Sequence, residues 1–386
     1  MKMQSLVPAS VLASSNAERE QYFSSTVVEH PYMKRALTRL NEATSAFDSQ
    51  RMILLLGGAG VGKTALLEAL VSKRFDARKE EMLSDRRRVP ALFVELEPPV
   101  TGKFSFVPFY REALGLMNAA AIDKTLPISQ RRPGRDQILF HTVDAKELNT
   151  SGERLKIRFR NNLIDRQVEI VALDEAIFAF EIGSSSSHED RLKHVITQAN
   201  HLRSFINKSP TTFILAGAHD FFELTVSTSQ LARRSSIVHF EPYGMDNEGI
   251  SGFTGALIEL LRHLPVENAF ELHEHATELL LQSLGCIGNL KDILKRALSL
   301  SLQRSVPLSF AVLRECFLSP PAHEAIRQEM VSGTKRLSTF LSNADLARHM
   351  LEEPRKVSVP VSTTKKLKPG EMKPSFRREA TDKWDS

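Results

Sequence analysis

Cysteine occurs only twice in the 386 residues, at Cys286 and Cys316, and tryptophan once, at Trp384. Two cysteines cannot build a disulfide framework or a thiolate metal cage, and their expected role is buried apolar filler in a reducing compartment. Long apolar runs are also missing: charges such as Lys63 and Glu68 cut them well short of the ~20 residues that a membrane-spanning helix needs. With no leader segment to be recognised, the expectation is a cytoplasmic protein with no membrane partner. Charge of one sign is scarce in the body of the chain. The net charge is +5, and residues 354–386 hold nine Lys/Arg against four Asp/Glu, so residues 1–353 balance to zero. A neutral body excludes nucleic-acid binding through a global positive field and leaves only local patches for it.

What is present is a series of short apolar runs: "MILLL" (52–56), "ALFVEL" (91–96), "EIVALD" (169–174), "TTFILAGA" (211–218) and "SIVHFEPY" (236–243). Four of the five lack clean alternation, as strands buried on both faces of a parallel sheet do. Helical segments at 63–75, about 107–118, about 152–166 and 190–207 fall between them, which gives an α/β fold with a parallel five-stranded sheet. Ahead of the first strand, Met33, Ala36, Leu37 and Leu40 mark an amphipathic helix. After Tyr243 the pattern becomes helical at 246–263, 271–284, 287–303 and 308–317, with Pro265, Gly285, Gly288 and Pro307 as breaks. The expected divisions are an N-terminal extension (1–49), a nucleotide-binding α/β domain (50–245), a small all-helical domain (246–318), a C-terminal helical segment (319–353) and a basic, disordered tail (354–386).

The chemistry centres on Gly57-Gly58-Ala59-Gly60-Val61-Gly62-Lys63-Thr64, of the form G-x-x-x-x-G-K-T, with Ala65 next in the helix. Glycines let such a loop curl so that successive N–H groups point at an anion, and the helix N-terminus adds its dipole. Lys63 then reaches the β- and γ-phosphates, and the Thr64 hydroxyl ligates Mg²⁺. The expected cofactors are therefore ATP and Mg²⁺. "IVALDEA" supplies the remaining parts of an ATPase: Asp174, at a strand end, as the second Mg²⁺ ligand, and Glu175 as the base that activates water. Strand 91–96 separates loop and acids in the chain, as in ATPases with an added strand and a catalytic glutamate.

The stretches "EREQYFSSTVVEHPYMKRALTRL", "GGAGVGKT", "ALDE", "FILAGAHD", "QLARRSS" and "LGCIGNLKDILKRAL" together resemble the TniB/TnsC family of AAA+ ATPases, regulators of target selection in cut-and-paste DNA transposition. The resemblance covers about residues 19–300. The "HPYMKRALTRL" lead-in and the G-x-x-G-x-L of the helical part are its more specific pieces. It implies an AAA+ P-loop domain with an all-helical lid. It also implies a polar γ-phosphate sensor at the tip of the fourth strand, a role that falls to His219 or Asp220 because Ala218 stands at the usual position. Arg233 and Arg234 are implied as arginine-finger candidates, and Lys291 of G-N-L-K as the lid's own phosphate sensor. Where the family often has D-E-x-H, this chain has Asp174-Glu175-Ala176-Ile177.

The resemblance further implies a homo-oligomer, ring or filament, wound on double-stranded DNA and engaging transposase subunits and a target-selection protein. Candidate DNA contacts are Lys103 and the insertion residues Arg131, Arg132 and Arg135, with Arg86 to Arg88 as another option. Phe376 and Trp384 make the tail a candidate docking peptide. The competing reading is a signalling or defence ATPase that oligomerises without DNA.

Overall fold

Five short apolar runs become five parallel strands. The computed structural model describes residues 5–45, 51–99, 104–122, 151–180, 188–226, 235–266 and 269–341. In chain order the elements are α1 (Ala9–Leu12), α2 (Asn16–Ser25), α3 (Pro31–Ser45), β1 (Met52–Leu56), α4 (Lys63–Ala77), α5 (Lys79–Ser84), β2 (Ala91–Glu95) and α6 (Phe106–Ile122). There follow α7 (Gly152–Asp165), β3 (Ile170–Asp174), α8 (His188–Ile206), β4 (Thr212–Gly217), α9 (His219–Val226) and β5 (Ser235–His239). The helical region comprises α10 (Asn247–Arg262), α11 (Ala276–Gln282), α12 (Ile287–Arg304) and α13 (Phe310–Glu315), and α14 (Pro320–Leu341) follows it. The architecture belongs to the first of two units, Met1–Ser338; of the second, Thr339–Ser386, only the last residues of α14 are described.

The sheet order is β2-β3-β4-β1-β5. β2 precedes β3 in the chain, but it is β4 that stands between β1 and β3 in space, while β2 forms an edge. Every residue of β1, β3 and β4 is buried, whereas β2 and β5, at the edges, are partly open. Period-two alternation sends Met52, Leu54 and Leu56 to one face with α6, α7 and α8, and Ile53 and Leu55 to the other with α3 and α4. Met33, Ala36, Leu37 and Leu40, the stripe that announced α3, are buried in this second core.

The helical region has its own core of Phe253, Leu257, Leu290, Leu294 and Leu298, into which Phe23 and Val28 of the N-terminal segment are built. A capping box of Ser15 and Glu18 starts α2 there. One helix was longer in expectation than in fact. Residues 271–284 divide into a 3₁₀ segment, Ala269–His275, and α11; from 271 to 275 only Leu272 is buried, so Glu271, His273, Glu274 and His275 give an α register little core to hold.

Candidate nucleotide site

The loop Gly57–Thr64 leaves the C-terminal end of β1 and delivers the chain to α4 at Lys63. The Gly57 N–H donates to Gly217 O at 3.4 Å, fixing the loop's entry to the tip of β4. No side chain caps the N-terminus of α4, so its first N–H groups remain for an anion. Lys63 Nζ donates to Gly57 O at 2.9 Å and Gly58 O at 3.1 Å, which holds the ammonium across the loop.

Thr64 and Asp174, 110 residues apart, meet: Thr64 Oγ1 donates to Asp174 Oδ2 at 2.6 Å. Asp174 is buried, and its other oxygen accepts the Glu175 N–H at 3.0 Å. A hydroxyl and a buried carboxylate in contact form the hard-oxygen set that suits Mg²⁺, and these two residues would hold it. At Glu175 the backbone turns into the left-handed region, φ 49°, and starts a 3₁₀ turn, so the side chain after Asp174 leaves the line of the strand.

The helical region closes on the loop through the G-N pair of "GNLK". The Asn289 N–H donates to Gly60 O at 3.3 Å, and Asn289 Nδ2 donates to Ser283 O at 3.2 Å. A Cβ on Gly60, whose φ is 75°, would collide with Asn289 Oδ1, and one on Gly288 would collide with Gly60 O. Lys291 corrects the expectation placed on it. Its ammonium donates to Ser24 O and Thr26 O, both at 2.7 Å, and so closes the C-terminal end of α2 instead of facing phosphate. The two-residue step from Asn289 to Lys291, about 200° round the helix, separates the position that meets the loop from the one that meets the N-terminal segment. Asn289 is the residue the sequence reading missed, although the same four letters held it.

Residues 46–225 match the family model described as the AAA domain. These residues have the P-loop fold of an AAA domain. No curated protein matches the chain. Among solved structures it is similar to the ORC2 protein of Aeropyrum pernix, with 15% identity over 79% of this chain and 73% of that one and a TM-score of 0.43. It is similar also to a Walker-type ATPase of Pyrococcus abyssi, with 16% identity over 85% and 80% and a TM-score of 0.43. A third is domain III of the replication initiation protein DnaA of Thermotoga maritima, with 12% identity over 78% and 98% and a TM-score of 0.41. Likenesses this distant add nothing to the fold already described. The AAA domain is that of an ATPase, and it explains the parallel sheet, the loop at the end of β1 and the acid pair at the end of β3.

Electrostatics in the AAA domain follow from burial. Burial lowers the Lys63 pKa, opposed by the charges of Asp174 and Glu175. Burial raises the Glu175 carboxyl above its ordinary value, Asp174 raises it further, and Lys63 opposes both. A carboxylate held up in this way is a stronger base near neutrality than an ordinary one. His219, the first residue of α9, is pushed down to about 4 by burial first and by His239 and Lys63 next. It lies with Nε2 3.4 Å from His239 Nε2. At pH 7 it is therefore neutral, a hydrogen-bonding group and not a cation.

Arg233 and Arg234 lie outside the described residues, as do Lys103, Arg131, Arg132, Arg135 and the tail with Phe376 and Trp384. Of the alternative DNA contacts, Arg88 is committed elsewhere: it pairs with Glu81 at 2.6 Å and Glu169 at 2.7 Å, while Arg74 and Arg78 join the same Glu169. Arg87 pairs with Asp85 at 3.4 Å. Among the described residues no cluster of His, Cys, Asp and Glu has the makings of a separate metal site. No described helix is long and apolar enough to cross a membrane.

Proposed function

We propose that the chain is an ATP-dependent regulator of DNA transposition that assembles as a homo-oligomer on double-stranded DNA and passes the assembled state to a transposase and a target-selection protein. The observation that carries this reading is convergence. The two more specific stretches of the TniB/TnsC resemblance both meet the nucleotide loop: the lead-in as α3, packed in the core that holds Val61, Leu66 and Leu67, and the lid signature as Asn289 on Gly60. A nucleotide at that loop would sit beside the parts by which an N-terminal segment and a lid could report its presence.

In the hydrolytic step the N–H groups of the loop and α4 bind the phosphates and Lys63 neutralises them. Mg²⁺, held by Thr64 and Asp174, supplies charge neutralisation and positioning when bound. Glu175 accepts a proton from the water that attacks the γ-phosphorus, and ADP leaves with the electron pair of the broken P–O bond. Arg234, or Arg233, completes the charge on the γ-phosphate of a neighbouring copy, so that ATP favours assembly and hydrolysis loosens it. DNA is held through its phosphates by Lys103, Arg131, Arg132 and Arg135, without reading of sequence.

The test is electron microscopy of the purified chain with duplex DNA, with and without a non-hydrolysable ATP analogue. Rings or filaments that need both are expected, and Lys63→Ala, which removes the phosphate-neutralising ammonium, abolishes them. A second reading, a signalling ATPase that oligomerises without DNA, is favoured by the neutral charge of residues 1–353. Assembly with the analogue alone, unaffected by DNA, would replace the first reading with the second.

A further inference from the structure

Helix α14 follows the helical region and lies outside both the strand–helix alternation and the acid and glycine motifs. It begins tied to the helical region, where His323 Nε2 lies 2.9 Å from Leu281 O. It then runs onto the AAA domain and crosses the loop. Met330 is buried there: a Cβ built on Gly58, the second residue of the loop, would lie 3.1 Å from Met330 Cε and 3.2 Å from its Cγ. One turn on, Gly333 lies so close to His219 that a Cβ would stand 2.5 Å from His219 Cβ and Cγ. Leu337, fully buried, joins the sheet core beyond.

The stripe Ile326, Met330, Gly333 and Leu337 follows steps of four, three and four, a single narrow face. Among the helix positions of described burial, up to Ser338, the others, including Val331 at 55% exposure, are open or half-open to solvent. Up to Ser338 the helix is seated by this one narrow stripe, and it is seated on Gly58 of the loop and on His219, just after the tip of β4.

We propose that α14 is an intramolecular strap over the γ-phosphate side of the nucleotide site, and that it lifts from Gly58 and His219 when a nucleoside triphosphate is bound. This inference rests on nucleotide binding by the loop and not on DNA or a transposase. ADP, which lacks the third phosphate, leaves the strap seated. If the seated form of the free protein outweighs the lifted form about ten to one, the strap lowers the apparent affinity for triphosphate about tenfold.

The experiment uses the full chain. Hydrogen exchange across residues 320–338 is measured alone, with saturating ADP and with a saturating non-hydrolysable ATP analogue, and affinities for both nucleotides are measured for wild type, Gly333→Leu and Met330→Glu. Expected are loss of protection in α14 with the analogue only, and in both variants analogue binding about tenfold tighter with a much smaller change for ADP. Protection of α14 that is unchanged or increased by the analogue in a wild-type chain that binds it overturns the strap. Failure of wild type and both variants to bind either nucleotide overturns the nucleotide reading itself. Binding of the analogue by the variants but not by wild type supports the strap.

Discussion

Replacing Lys291 by Met separates two roles that one residue cannot hold at once in this structure. The ammonium donates to Ser24 O and Thr26 O, each at 2.7 Å, and Met keeps the length of the stem while removing the charge and both hydrogen bonds. Hydrogen bonds to a charged group contribute about 1.5–3 kcal/mol each. Two offsets apply. Burial already disfavours the charged lysine, as its lowered pKa records, and Ser24 and Thr26 are half-buried, so that water replaces part of what is lost. A net destabilisation of about 2–4 kcal/mol follows. For a urea slope of about 2–3 kcal/mol/M, the unfolding midpoint moves down by about 1 M, read by circular dichroism. The ratio of affinities for an ATP analogue and ADP should stay within about twofold of wild type, since that is under 0.5 kcal/mol. An unchanged midpoint together with an affinity for the analogue lowered about tenfold relative to ADP, or about 1.4 kcal/mol, would refute the placement and restore Lys291 as a phosphate sensor.

Glu175→Gln removes the base but keeps the size of the side chain, so ATP turnover should drop about 10²–10⁴-fold with nucleotide binding retained; loss of binding instead of turnover would count against the assignment. Gly288→Val puts a side chain onto Gly60 O, and the strain of about 1–3 kcal/mol should appear as a lower unfolding temperature and weaker nucleotide binding, which an unshifted thermal scan would contradict. His30 is buried and pushed down to about 4 by burial, with Nδ1 accepting the Met33 N–H at 3.3 Å and lying 2.9 Å from Tyr243 Oη. Because its folded pKa is below the unfolded value of about 6.5, the folded chain binds fewer protons between the two, and stability falls as pH drops through that window. The loss amounts to about 2 kcal/mol by pH 5 and about 3 kcal/mol once both forms are protonated. Urea midpoints of wild type and His30→Gln, measured from pH 7 to 4.5, should converge at the acid end, and parallel curves would remove His30 as the cause.

The parts legible in the sequence are those whose physics is local. β1, β3 and β4 were legible because a strand covered on both faces is apolar along nearly all its length, and the loop was legible because its curl, with positive φ at Gly60 and Gly62, calls for glycine there. Asp174 followed from its place at the end of an apolar strand, and its 2.6 Å contact with Thr64 needs only that two parallel strands end on the same side of one sheet. What stayed hidden depends on how helices dock, and "GNLK" marks the boundary. The motif places one turn of α12 at the nucleotide loop, but which of its residues faces the loop is set by the rotation of the helix, and that is fixed by Ile287, Leu290 and Leu294 packing in the helical core. With those three turned inward, Asn289 meets Gly60 and Lys291 meets the end of α2. The chemically attractive residue loses the site to its neighbour for a reason that lies in the core.

The same reasoning explains why the helix expected at 319–353 carried no signal of where α14 docks. Ile326, Met330 and Leu337 read as an ordinary amphipathic stripe, and nothing in their spacing says that the surface they cover contains Gly58 and His219. A narrow stripe is also what a detachable element requires, because a broader apolar face would bind α14 too firmly for a single phosphate group to displace it. Gly333 sharpens the point. A helix interior disfavours glycine by about 1 kcal/mol relative to alanine, yet at this position any side chain would meet the imidazole of His219. The helix therefore gives up intrinsic stability at the one position where closeness to the nucleotide site demands it. A helix that only rested on the surface would have no use for that exchange, and a helix whose seating governs access to the site does.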